Sequence, residues 1–499
     1  LANPLKKLAG QTAIYGLSSI VARLLNYLLT PLYTSVNVFD PEQYGIITEM
    51  YAYVAFLIIF LTYGLETAFF RFIGKDTSKK TIVFATAAKS LLVSSTIFMI
   101  MATLFSDSIG RALHYPNHTE YVVWFAIIVG LDAISTLPLA LLRAEDKPLR
   151  FVGVNMINVG INIGLNLFFL AYCLPMHQAG ESNILVDTFY DPEIGVGYVF
   201  ISNLLASIVK FLLLSPYLFR AKGYDASLLK EMMRYALPLL VVGIGWYVNE
   251  NFDRIMLKFM LFDSYGELAA MEQVGIYGAN YKLSIIIMLF IQAFRYAADP
   301  FYFGRQGKPG AEKLYASLMT YFIIIVCSIF LLVTLYLDIF KNFIPNQAYW
   351  VGLSVVPILL MANIFQGIYY NLSFWYKFID KTRYGAYMAL LGASITLVLN
   401  FIFIPQYGYK ACAWVTFTAY GSIMVLSYFI GQRYYPIPYE LKRIGFYLGL
   451  TAGLFFFQTF FSESVPFHPM ILSTLLFGVF LVLVFLLEKS RVGQLRMED

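Results

Sequence analysis

Apolar stretches long enough to cross a bilayer recur along the whole chain, separated by short polar segments. A helix rises 1.5 Å per residue, so about 20 apolar residues cover a hydrocarbon core. Stretches of that length fall near residues 10–36, 44–72, 81–105, 121–143, 150–174, 195–219 and 235–261. They continue near 275–303, 314–337, 349–376, 384–405, 410–431, 443–461 and 468–488. The pattern predicts an all-α integral membrane protein of about fourteen spans. Within it, Pro31, Pro138, Pro238, Pro300 and Pro357 are expected to kink helices.

Composition agrees with that reading. Of 499 residues, 59% are hydrophobic and only 13% charged, against roughly 25% charged in soluble domains. Such a chain cannot cover itself with polar groups in water. The net charge of +5 says less than where the charges lie. Cations cluster in alternate loops: Lys75, Lys79 and Lys80; Arg143, Lys147 and Arg150; Arg220, Lys222 and Lys230. The same set continues with Arg305, Lys308 and Lys313; Lys377, Lys381 and Arg383; Arg433, Lys442 and Arg443. The other loops hold only Arg111, Lys341 and Lys410. By the positive-inside rule the first set is cytoplasmic, as are both termini, which requires an even span count. Lys6 and Lys7, ahead of a long apolar segment, read as the flank of a retained first helix.

The loops on the other side are short, the longest running from about Pro175 to Ile194. They leave no room for the large catalytic domain common in membrane glycosyltransferases and polymerases. Cys173, Cys327 and Cys412 sit in apolar stretches without metal-ligand spacing. His114 and His118 are separated by Pro116, which works against a helical metal site, and His177 and His468 lie in or beside loops. Neither a metal site, a nucleotide-binding loop nor a nucleic-acid-binding pattern is expected, so the sequence does not read as an enzyme.

The chain also repeats itself. A shift of 230 superposes Gly45 on Gly275, Ile46 on Ile276, Tyr51 on Tyr281, Phe60 on Phe290, Ala68 on Ala298 and Gly74 on Gly304. A shift of 234 superposes Asp146-Lys147 on Asp380-Lys381 and Leu165-Asn166 on Leu399-Asn400. Two copies of a six-helix unit are therefore expected, at residues 1–220 and 221–432. Two further spans and a short tail occupy 433–499. An even number of spans per copy makes the repeat parallel, as in transporters that alternate access by rocking two lobes.

Particular runs carry a family resemblance. They are Asp253-Arg254-Ile255-Met256-Leu257, Val274 through Leu283, and Leu399 through Gly408 leading to Ala411, Ala413 and Thr416. Tyr44-Gly45, Gly64-Leu65-Glu66-Thr67 and Arg71-Phe72 in the first half are of the same kind. Over roughly residues 5–431 the sequence resembles the polysaccharide-transport (Wzx-like) branch of the MOP flippase superfamily, which also holds MurJ-like lipid II flippases and MATE exporters. The resemblance implies two six-helix lobes around a V-shaped cavity. It implies translocation of polyprenyl-diphosphate-linked oligosaccharides, precursors of O-antigen, capsule or exopolysaccharide, to the outer leaflet of a bacterial inner membrane. Membrane lipids are implied partners, and a polysaccharide polymerase is a candidate partner. Twelve spans are usual in that branch and fourteen in the MurJ-like branch. A MATE-like, ion-coupled exporter of small organic molecules is the alternative.

Ionisable side chains inside spans cost at least roughly 2.5–3.5 kcal/mol each at the bilayer centre, so they face a cavity or a partner. Arg23, Lys89, Lys210, Arg254, Lys258, Lys282 and Arg295 are the cations so placed. A lipid diphosphate needs such groups along its route, and the planar fork of Arg suits phosphate. Arg23, Arg254, Lys258, Lys282 and Arg295 are the candidate cavity cations. Glu250–Arg254 and Arg295–Asp299, each four residues apart, could equally neutralise themselves, and Glu66 could pair with Arg71. Lys89 and Lys210 are close enough to span ends to snorkel. No cofactor is expected beyond H⁺ or Na⁺ coupling, for which Glu49, Glu66, Glu250 and Asp253 are the candidates. Asn155, Asn158, Asn162 and Asn166 form one helical face. Asn155 and Asn162 are candidates to meet sugar hydroxyls; the competing role is helix packing beside Gly153, Gly160 and Gly164.

Overall fold

The computed structural model describes residues 20–181, 183–461 and 468–495. Among the described residues the chain is helical, with no strand. The long helices are α1 (Pro41–Thr62), α2 (Leu65–Lys75), α3 (Lys80–Leu104), α4 (Thr119–Ala144), α5 (Pro148–Asn166), α6 (Gly197–Phe219) and α7 (Ala226–Tyr265). They continue as α8 (Glu267–Arg305), α9 (Ala311–Leu335), α10 (Val356–Leu372), α11 (Arg383–Tyr407), α12 (Tyr409–Tyr434), α13 (Leu441–Phe461) and α14 (Pro469–Leu495).

Twelve rods among the described residues are long and apolar enough to cross a membrane. Two of the fourteen expected spans stand apart from these twelve. The span at 10–36 lies partly outside the described residues, which within it are helical at 20–27 and at Thr30–Tyr33. The span at 235–261 lies within the 40-residue α7, where Asn249, Glu250, Asn251, Asp253 and Arg254 dilute the apolar stretch.

Local chemistry sets the helix ends. Pro41 opens α1 behind an Asp40–Gln43 capping box. Asp225 caps α7 by accepting from the amides of Ser227 and Leu228. The span expected at 44–72 is two helices, α1 and α2. Tyr63 and Gly64 between them take left-handed angles, φ 34° and 74°. A side chain at Gly64 would also press on the Ala236 carbonyl oxygen, at 3.0 Å. The rod begun by α5 passes through a π-helical turn at Leu167–Cys173 and ends at Gln178. Pro138 and Pro238 lie inside α4 and α7, whereas Pro31 and Pro357 sit in first turns, where proline kinks nothing. The side chain of Pro300 lies outside those described.

The chain divides into two compact units. One comprises Leu1–Gly278 with Asn400–Gly408, and the other Ala279–Leu399 with Tyr409–Asp499. The first unit has an apolar core of Leu65 and Phe69 from α2, Val83 and Phe84 from α3, Leu137 from α4, and Met232 and Ala236 from α7. A closer approach joins α1 to the start of α8. A Cβ on Gly45 would fall 2.1 Å from the Met271 carbonyl oxygen, and one on Gly275 1.7 Å from that of Pro41. Two glycines that the repeat superposes thus face each other where two backbones touch. In the second unit, Tyr302, Tyr315, Phe374 and Phe378 form an aromatic core with Ile437. Within that unit, Ser473 of α14 and Gln458 of α13 both donate to the Leu335 carbonyl at the end of α9, at 2.7 and 3.1 Å. Arg443 of α13 ion-pairs with Glu488 of α14.

Candidate functional site

The first unit contains a closed cluster of charges. Glu49 on α1 and Lys258 on α7 are 209 residues apart, and both side chains are wholly buried. Their Oε2–Nζ distance is 2.9 Å. Lys258 also donates to the Leu113 carbonyl at 2.7 Å, and its Nζ lies 3.8 Å from the Tyr115 ring centroid. Tyr115 donates to Glu49 Oε2 at 2.5 Å and Tyr53 donates to Glu49 Oε1 at 2.8 Å. Two ions that would be costly in hydrocarbon are thereby neutralised and saturated with hydrogen bonds. In this conformation Lys258 does not line an open cavity, and Glu49 is not open to an arriving ion. Each is the other's partner.

One turn along α7, Arg254 and Asp253 make a second buried pair at 3.1 Å. The guanidinium also donates to the Glu250 backbone carbonyl at 2.7 Å and to the Asn251 side chain at 3.4 Å. Tyr277 of α8 donates to the other oxygen of Asp253 at 2.7 Å. The pairing expected between the Glu250 and Arg254 side chains is thus represented by contacts to the Glu250 backbone and to Asp253. Asp253, a candidate coupling acid by sequence, here anchors Arg254 and accepts from Tyr277.

Other expectations meet different partners. Glu66 pairs with Arg143 of α4, not with Arg71, whose guanidinium lies 3.9 Å from the Tyr235 ring. Lys210 pairs with Asp132 at 2.6 Å, and Lys89 donates to the Gly223 carbonyl at 2.9 Å. Asn155 turns back to the Phe151 carbonyl of its own helix, at 3.0 Å. Asn162 donates to Asn26 at 3.1 Å, and Tyr33 donates to Asn166 at 2.9 Å. The lower part of the asparagine face therefore binds the segment around residues 26–33. Gly153, Gly160 and Gly164 face open space among the described residues, so they form no close-packing seam there. Arg23 is exposed on the helical stretch at 20–27, and Lys282 is half-buried on α8. Arg295 is exposed on α8, with its guanidinium 4.4 Å from the Tyr370 ring centroid. Asp299, foreseen as its partner, accepts from the Tyr370 hydroxyl. Among the described residues no group of three His, Cys, Asp or Glu side chains could hold a metal ion.

Membrane-length rods with buried ion pairs define a polytopic helical membrane protein. Solved structures share this architecture. The lipid II flippase MurJ, in an inward closed conformation, superposes with a TM-score of 0.70 at 12% identity, covering 94% of this chain and 98% of that one. An inward-facing multidrug resistance MATE family transporter of the MOP superfamily gives 0.62 at 15% identity, covering 88% and 99%. An uncharacterized membrane protein of Methanocaldococcus jannaschii is 19% identical over 96% of this chain and 95% of its own length. The family model for polysaccharide biosynthesis proteins matches residues 8–300. The chain belongs to that family.

Proposed function

We propose that the protein moves a polyprenyl-diphosphate-linked oligosaccharide from the cytoplasmic to the outer leaflet by alternating access between its two six-helix repeats. The observation that carries this reading is the concentration of cations within spans. Arg23, Arg254, Lys282 and Arg295 all fall inside the stretch matched by the polysaccharide biosynthesis family, whereas Lys258 is closed off by Glu49. A route for an organic cation would be lined with acids in excess; a route for a diphosphate needs cations. Arg254 is the residue with the strongest claim to contact the diphosphate. Asp253 and the Glu250 carbonyl hold its guanidinium in place, so little side-chain entropy is lost on binding.

The cationic loops orient the chain with both ends of the sequence toward the cytoplasm. The family resemblance implies a bacterial inner membrane; the archaeal relative makes a cytoplasmic membrane the broader statement. Native mass spectrometry of gently purified protein tests the substrate. Retained polyprenyl-diphosphate glycan is the expected result. Retention of organic cations, with no lipid diphosphate, would favour the exporter alternative.

A further inference from the structure

The internal repeat lets one copy serve as a control for the other. A shift of 234 places Glu145, Asp146, Lys147 and Arg150 on Ile379, Asp380, Lys381 and Tyr384. Both segments turn alike. Asp146 and Asp380 each take φ 54°. The Lys147 amide donates to the Leu142 carbonyl at 2.9 Å, and the Lys381 amide to the Tyr376 carbonyl at 2.8 Å. In both, the lysine lies over a tyrosine near the end of the last helix of its copy. Lys147 Nζ is 5.9 Å from the ring centroid of Tyr217 on α6, and Lys381 Nζ 3.8 Å from that of Tyr434 on α12. The residue three positions on then meets the hydroxyl of that tyrosine. Arg150 donates to Tyr217 at 2.7 Å, and Tyr384 shares a hydrogen bond with Tyr434 at 3.0 Å.

The two copies differ in charge. In the first, Glu145 pairs with Lys147 at 2.6 Å and with Lys80 at 3.6 Å. In the second, Ile379 stands where that acid would be. Among the described residues Lys381, Arg383 and Arg433 form no ion pair, with Asp380 of the turn or with any other acid. A cavity of about 350 Å³ opens beside them, lined by Tyr384, Phe429, Ile430, Arg433 and Tyr434. Buried Trp375 stacks on the Tyr434 ring at 5.7 Å and 8°, which fixes one wall. Phe429 is 65% exposed, so the polar end of the cavity runs into an apolar flank.

We infer that this cavity binds the headgroup of an acidic phospholipid from the surrounding leaflet, at a site that the first copy closes with Glu145. The inference is independent of the proposed transport substrate. Tyrosines at span ends sit at headgroup level, and acidic lipids gather at basic pockets there. Arg433 and Lys381 supply charge for one phosphodiester. Two hydroxyls that share one hydrogen bond leave a second hydrogen for the ligand. Phe429 gives an acyl chain a surface that a soluble anion would not use.

The test is photolabelling of the full chain in mixed-lipid nanodiscs by a diazirine-bearing phosphatidylglycerol, mapped by peptide mass spectrometry. The matching phosphatidylcholine probe is the zwitterionic control. Labelling where α11 begins and α12 ends is expected, and stronger with phosphatidylglycerol. Ile379→Glu, which imports the acid of the first copy, and Lys381→Gln/Arg433→Gln should each lower it at least about fivefold. Lys147→Gln/Arg150→Gln should leave it unchanged. The Lys381→Gln/Arg433→Gln variant loses no ion pair and should melt as the wild type does, so its loss of label would not report unfolding. Wild-type labelling in that variant overturns the site, as does equal labelling by the phosphatidylcholine probe. Labelling abolished by millimolar glycerol 3-phosphate overturns the lipid assignment and makes the cavity a site for a soluble anion.

Discussion

At the scale of single residues, the burial of charge decides most outcomes. Lys258 and Glu49 compensate each other with neither in contact with solvent. Removing one partner leaves the other charged and buried, which typically costs about 3–5 kcal/mol. Lys258→Met should therefore lower the thermal unfolding midpoint of the purified protein strongly, and Glu49→Gln/Lys258→Met should recover much of the loss. A double variant as unstable as the single one would mean that the pair is not what holds α1 to α7. Arg254→Ala should insert and fold yet transport less. Asp253 then keeps the Tyr277 hydroxyl and the backbone amide of residue 254 as donors, so a modest stability change is expected beside the larger transport defect. The sequence offered these residues as charged and in-span, but not as partners. Glu49 and Lys258 share no periodicity that could link positions 209 apart. Glu66 and Arg71 are five apart, which turns them roughly 140° from each other on a helix, so Glu66 reaches instead to Arg143.

At the scale of elements, close backbone contact matters more than apolar content. Gly45 and Gly275 were visible as a repeated pair, and the structure explains the repetition by placing both at the crossing of α1 and α8. Gly275→Val should block that crossing and sharply reduce the yield of folded protein in detergent, whereas Gly160→Ala and Gly164→Ala should be close to neutral. Comparable yields for all three would show that the crossing tolerates separation. The spans themselves were legible because hydrophobic length is a one-dimensional property. The break at Tyr63–Gly64 was not, since it depends on a backbone conformation pressed against Ala236. Nor was the position of Lys377, a loop cation by sequence that the fold brings to the Tyr370 ring.

At the scale of the whole molecule, a membrane fold of the polysaccharide biosynthesis family carries a set of in-span cations. The proposed orientation rests on loop charge. A cysteine placed between Gly180 and Ile194, with Cys173, Cys327 and Cys412 left buried as they are, should react with a membrane-impermeant maleimide on intact cells. Reaction only after lysis would invert the topology and with it the direction of transport. Family and fold were legible from local runs such as those at 253–257 and 399–408. The candidate site was legible only as a list of cations, because which of them are already neutralised is settled in three dimensions.

The central claim is tested most directly by translocation itself. Protein reconstituted into liposomes with a fluorescent polyprenyl-diphosphate sugar should speed the label's passage between leaflets, read as quenching by an impermeant reductant. The wild type should do so well above protein-free vesicles, with Arg254→Ala much slower. Passage no faster than in protein-free vesicles, by protein shown to be folded, would contradict the account.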